Sequence, residues 1–254
     1  MALSVENVSL KYGELRVLDN VTFEVNEQEF VCLTGPSGCG KTTLLKIIAG
    51  LITPDSGRVL LYGRPPSVEH GEIGFVFQED ALFPWLTVKK NIAFGLEIQK
   101  VPREEINKKV EAYLELVGLK SFGNYYPQQL SGGMRQRAGL ARALAYGPKV
   151  LLMDEPFSSL DAQTRNELQK ELLRIWSKEQ KTVVMVTHSI DEAVFLADRV
   201  VVLTRRPGRL KADVPIEMPR PRERTEPQFN KIRQQLLKMI EPELREVGGN
   251  KEAY

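Results

Sequence analysis

Two cysteines, two histidines and two tryptophans among 254 residues leave several kinds of chemistry poorly supplied. Cys32 and Cys39 stand in no C-x-x-C or histidine-rich setting. That excludes a disulfide framework or a zinc site of familiar spacing and leaves reduced thiols as the expectation. No apolar stretch approaches the roughly 18 residues needed to cross a bilayer. The best candidate, Val194 to Leu203, is broken by Asp198 and Arg199, so the chain is not expected to span a membrane. The opening MALSVENVSL has neither the basic patch nor the apolar run of a secretory signal. A formal net charge of +2 gives no argument for nucleic acid. Arg205, Arg206, Arg209 and Lys211 form a local basic cluster, a pattern more often solvated surface than binding patch. There is no internal repeat and no long low-complexity linker.

What is present suits a large soluble core, with 42% hydrophobic and 27% charged residues. Val21, Phe23 and Val25 alternate as a half-buried strand does. Further strand-like runs are Phe30–Thr34, Val59–Tyr62, Ile73–Phe77, Val150–Met153, Thr182–Val186 and Val200–Leu203. Several are apolar throughout, as parallel strands buried on both faces by crossover helices should be, and helical patterns lie between the later ones. From Thr87 to about Tyr146 the chain reads as helices alone. Pro102 suits a helix start, Ile106, Val110, Leu114 and Val117 mark one face, and Gly118 suits its end. A last amphipathic stretch carries Phe229, Ile232, Leu236 and Ile240. The expected fold class is α/β, with a mostly parallel sheet, an N-terminal antiparallel β part and an inserted helical subdomain.

Gly35-Pro36-Ser37-Gly38-Cys39-Gly40-Lys41-Thr42-Thr43 fits the phosphate-binding pattern G-x-x-x-x-G-K-[ST], between an apolar strand and a helix. Glycines let backbone N–H groups converge on phosphate oxygens where side chains would block approach. The helix that follows directs its positive end at the same place. Lys41 is expected on the β- and γ-phosphates of ATP and the Thr42 hydroxyl on Mg²⁺. This loop alone does not separate a transport ATPase from a kinase or a GTPase.

The run Val150 to Met153 ends in adjacent acids, Asp154 and Glu155. Successive strand side chains point to opposite sides, so their roles should differ. Asp154 can support Mg²⁺ through a water, and Glu155 can orient and deprotonate the attacking water. His188 follows another apolar run and gains a role because parallel strands of one sheet would bring their ends together. Its expected role is to contact the γ-phosphate and hold the attacking water. Gln78 ends Ile73-Gly-Phe-Val-Phe-Gln in the same manner and can ligate Mg²⁺ as a neutral amide; an ordinary loop glutamine fits equally well. His70, in a polar stretch, reads as surface.

The decisive residues are Leu130-Ser131-Gly132-Gly133-Met134-Arg135-Gln136, between the phosphate loop and the carboxylate pair. They resemble the signature of ABC ATPases, and the resemblance covers about the first 210 residues. Ser131 is a good N-cap, and the two glycines leave a helix start bare as a second anion site. The resemblance implies a P-loop NTPase core over 1–86 and 147–225, a helical subdomain over 87–146 and a helical tail over 226–254, in one ABC ATPase domain. It implies that Tyr12 stacks on adenine, that Ser159-Leu160-Asp161 crosses a dimer interface, and that Ser131, Gly132 and Gly133 cap the ATP held by a second copy packed head to tail. Ser159 stands where the pattern commonly has alanine, and Ser189 where it has an acid.

Gln78 to Val88, Tyr126 to Arg137 and Arg205 to Arg209 further resemble importers of the nitrate, sulfonate and taurine group. That resemblance implies a peripheral subunit at the cytoplasmic face of the membrane. It would work with two membrane-spanning permease subunits and an external solute-binding protein. Leu82, Phe83, Trp85 and Leu86 are then either core of the helical part or a groove for a helix of a membrane subunit. The alternatives are a soluble ABC ATPase acting on nucleic acid or ribosomes, and a regulatory module without turnover. Glu155 and His188 argue against the last.

Overall fold

The computed structural model describes residues 1–67, 71–78 and 81–245, with side chains to 241. His70 lies outside the described residues, as do Glu79 and Asp80. The chain divides into two compact units, Met1–Val68 with Thr182–Tyr254, and Glu69–Lys181.

In the first unit, β1 (Leu3–Tyr12) pairs antiparallel with β2 (Leu15–Val25) and, on its other edge, with β4 (Ser56–Leu61). Val21, Phe23 and Val25 are buried and Thr22 and Glu24 exposed, the alternation read from the sequence. β1 escapes that reading because register shifts between Val5 and Val8, where Asn7 has φ 51°, break its period.

A second sheet of this unit holds β3 (Phe30–Thr34), β7 (Thr182–Val186), β8 (Arg199–Leu203) and β9 (Leu210–Pro215) in the order β7-β3-β8-β9. β7 and β8 run parallel to β3, and every residue of β3 and β7 is buried. That burial explains their unbroken apolar runs. β9 closes the edge antiparallel; its polar, half-exposed residues carry no apolar run for the sequence reading to find. Helix α1 (Lys41–Ile48) packs on β7, α6 (Ile190–Leu196) on β3, and α7 (Pro227–Arg245) on α6. α7 buries Phe229, Leu236 and Ile240, three of the residues expected on its apolar face.

In the second unit, β5 (Ile73–Val76) and β6 (Val150–Asp154) pair in parallel. Around them lie α2 (Val88–Ile98), α3 (Arg103–Leu116), α4 (Gly132–Ala145) and α5 (Ala162–Glu179). The three helices from α2 to α4 pack against one another. α3 begins after Pro102, buries Ile106, Val110 and Leu114, and gives way to Gly118 at φ 68°, as its spacing predicts.

Candidate active site

β3 delivers the chain into the phosphate loop at Gly35, and Gly40 caps α1 with φ 103°. Gly38 has φ 74° and open space where a side chain would begin. A residue other than glycine would pay for both positive angles in backbone strain. Ser37 and Gly38 are exposed, Thr42 and Thr43 half-buried. Lys41 is 6% exposed, and its ammonium donates to the carbonyls of Gly35 and Pro36, each at 2.9 Å. The loop therefore already aims a buried cation inward. A triphosphate fits this arrangement, with exposed backbone at its centre, a lysine beneath and a helix start behind.

His188 belongs to the same unit. Leu33 of β3 is in register with Val186 of β7, and the Thr187 amide donates to the Leu33 carbonyl at 3.1 Å. The chain thus leaves β7 at His188 beside the point where it leaves β3 at Gly35. Thr187 anchors the turn: its hydroxyl donates to Glu192 at 2.6 Å and accepts from the Ser189 amide at 3.0 Å. His188 itself is exposed. Tyr12 ends β1 and is 53% exposed, suited to stacking on a flat ligand.

The second unit brings Gln78, Asp154 and Glu155 to one edge. Val76 pairs with Met153, so the chain runs out to Gln78 beside the acids. Asp154 is 5% exposed, whereas Gln78 is exposed. Glu155 has φ 44°, a left-handed backbone that costs a residue with a side chain about 1–3 kcal/mol. The Ser158 amide and hydroxyl both donate to the Glu155 carbonyl, at 3.2 and 3.0 Å, and hold this turn. Among the described residues no cluster of three or more acids, histidines or cysteines forms a metal cage. Mg²⁺ needs none, since it keeps waters and phosphate oxygens and takes only one or two protein carboxylates. Asp154 fits that limited role.

Ser131 caps α4, its hydroxyl accepting from the Met134 amide at 3.3 Å. Ser131 and Gly132 are exposed and Gly133 is buried. A side chain at Gly133 would come within 2.6 Å of the Thr164 methyl on α5. Asp161 caps α5 by accepting from the Gln163 and Thr164 amides at 3.1 and 3.0 Å. Those bonds, Thr164's first, hold its carboxyl below its usual range. The signature turn and the Asp161 turn are thereby one packed surface.

The cluster after Gln78 is divided. Leu82 is buried, Phe83 and Leu86 are half-buried, and Trp85 is 70% exposed. Phe83 stacks obliquely on Trp85 and Phe94, and with Phe75, Phe77 and Tyr146 it lines a groove of about 410 Å³. Sequence reasoning missed the residue that shapes it. Asn91, fully buried, accepts from the Phe83 amide and donates to the Phe83, Leu86 and Thr87 carbonyls at 2.8–3.2 Å. The available signal was a lone amide on the apolar face of Val88, Ile92 and Leu96. Arg142 completes the groove, donating to the Ala81 carbonyl with its guanidinium 5.5 Å over the Phe83 ring.

Residues 18–158 match the family described as ABC transporter. An ABC transporter ATP-binding protein of Methanocaldococcus jannaschii is 52% identical over 95% of this chain and 92% of its own. An aliphatic sulfonates import ATP-binding protein of Bacillus licheniformis is 45% identical over 95% of each. Among solved structures, a cbiO1 subunit from Clostridium perfringens, part of the transporter complex cbiONQ, superposes with TM-score 0.79 at 27% identity, covering 99% of both chains. A dimeric ATP-binding cassette bound to ADP and Pi gives TM-score 0.75 at 33% identity over 85% of this chain and 99% of that one. The fold is that of the P-loop NTPases. With its phosphate loop, carboxylate pair and signature turn, this chain belongs to the ABC transporter family as one of its ATP-hydrolysing, ATP-binding subunits.

Proposed function

We propose that this subunit closes on a second copy, head to tail, around MgATP and drives uptake of a small anionic solute through two separate membrane subunits. The solute class is that of nitrate, sulfonates and taurine. The relatives named for aliphatic sulfonate import, 42–45% identical over 95% of this chain, support it. An external solute-binding protein and a place at the cytoplasmic face of the membrane belong to the same reading.

In this mechanism Tyr12 stacks on the adenine, and the amides of residues 35–43 surround the phosphates. Lys41 exchanges its loop carbonyls for β- and γ-phosphate oxygens. Thr42, Gln78 and, through a water, Asp154 would hold Mg²⁺, which would neutralise charge developing on those phosphates. Glu155 accepts a proton from the attacking water, and His188 holds that water against the γ-phosphate. Ser131, Gly132 and Gly133 of one copy cap the nucleotide of the other, and Asp161 lines the same interface. The single observation behind the membrane coupling is the aromatic groove that Phe77 and Phe83 line, with Trp85, 70% exposed, stacked against Phe83 at its edge. Apolar interface anchors sit in such pockets. Co-expression with the membrane subunits tests it: Trp85→Ala or Phe83→Ala is expected to keep basal ATPase and lose co-purification. Normal assembly and transport by both variants would reject the groove.

A further inference from the structure

The Arg205–Arg209 stretch has no role in the scheme above, yet it lies against the phosphate loop. It forms the turn of the β8–β9 hairpin. The Thr204 amide donates to the Arg209 carbonyl at 2.9 Å, and the Arg209 amide returns to the Thr204 hydroxyl at 3.0 Å. The turn is pinned to β2 by backbone bonds from Gly208 to the Val17 carbonyl, 2.8 Å, and from Asp19 to the Gly208 carbonyl, 3.0 Å. The Arg209 guanidinium closes the arrangement on the Asp19 carboxylate at 2.8 Å and holds that carboxyl below its usual range.

Gly208 is where this turn meets the cradle. A methyl group there would overlap the Cys39 carbonyl oxygen, a backbone atom, and touch the Leu18 side chain at 3.4 Å. Leu18 and Val17 in turn lie 2.8 and 3.0 Å from where a side chain on Gly40 would begin. At the loop's other end, a side chain on Gly35 would begin 2.7 Å from the carbonyl of Leu203, the last residue of β8. The cradle is therefore walled by β2 and by both sides of one hairpin turn. Its left-handed glycines have no conformational preference of their own to hold them, so these walls fix where their amides point.

We infer that the 204–209 turn is a buttress of the phosphate cradle and that Gly208 is a positioning residue for nucleotide binding. Any side chain at 208 displaces the Cys39 peptide and turns the cradle away from the phosphates that ATP and ADP share. The inference rests on the P-loop reading. Titration of MgATP and MgADP into wild type and Gly208→Ala, with steady-state kinetics, tests it. The expected result is a rise in both dissociation constants of about tenfold or more, with the ATP-to-ADP ratio and kcat at saturation changed by less than about threefold. Asp19→Ala and Arg209→Ala are expected to raise both constants by about two- to fivefold, and the double variant no further than the larger single, as for coupled partners. These variants carry the test if Gly208→Ala does not fold. Wild-type affinities throughout would overturn the buttress, as would a collapse of kcat with unchanged binding. Failure of the wild type itself to bind MgATP would sink the P-loop reading instead.

Discussion

The phosphate loop and the signature turn are both glycine-bearing starts of helices, yet they are built in opposite ways. The first is walled: Gly35 meets Leu203, Gly40 meets Leu18, Gly208 meets Cys39, and Lys41 is buried beneath. The second is open, with Ser131 and Gly132 exposed and only Gly133 packed against Thr164. A walled cradle holds its amides in place before any ligand arrives and can bind alone. An open turn with exposed donors suits a surface that meets its ligand only when another molecule brings it. On the proposed reading, the contrast separates a finished binding element from one that awaits a partner.

Chemistry gives the sharpest separation of the two. Glu155→Gln keeps the side chain's shape but not its proton acceptor, so hydrolysis is expected to fall by roughly 10²–10⁴-fold with MgATP affinity unchanged. A steady-state rate near that of wild type would remove Glu155 as the base. Next in size, Ser131→Arg is expected to lower turnover by about 10²-fold, while Lys41→Ala loses turnover and monomer binding together. Equal losses of monomer affinity in both variants, measured by calorimetry, would erase the difference between walled and open elements.

The P-loop was legible because its requirements are local: three left-handed glycines, a lysine, a strand before and a helix after. The carboxylate edge was legible for the same reason, since apolar runs of β5 and β6 mark where the chain must emerge. Other features depend on contacts distant in sequence, which no local pattern carries. Gly208 looks like any turn glycine until Cys39 is seen against it. Asn91 looks like a helix polar residue until the carbonyls of Phe83, Leu86 and Thr87 are found turned towards it. β1 was obscured by its bulges and β9 by its edge-strand polarity.

The aromatic groove extends the comparison to stability. Asn91→Ala removes the side-chain bonds to the part-buried Phe83 amide and Leu86 carbonyl and is expected to destabilise the chain by about 1–3 kcal/mol while loosening the groove. Trp85→Ala, at an exposed position, is expected to shift stability by less than about 0.5 kcal/mol. Urea denaturation distinguishes them, and similar losses in both would return Trp85 to the core. The smallest effect is alkaline. Tyr146 donates to the Ile73 carbonyl at 2.6 Å, and burial raises its phenol to about 12 from 10.0, against a lowering by Arg142. The raised value means that stability from the neutral phenol is complete below about pH 10 and is lost as pH rises through about 12. Melting curves of Tyr146→Phe are expected to show a shallower alkaline decline; an unchanged slope would discount this bond.

The central claim is that the open signature turn completes the walled cradle of a second copy. Light scattering on the Glu155→Gln protein, with and without MgATP, tests it most directly. The account predicts a monomer that becomes a dimer with MgATP, much less so with MgADP, and stays monomeric when Ser131→Arg is added. A Glu155→Gln protein that binds MgATP and remains monomeric, or dimerises regardless of nucleotide and of Ser131, would contradict it.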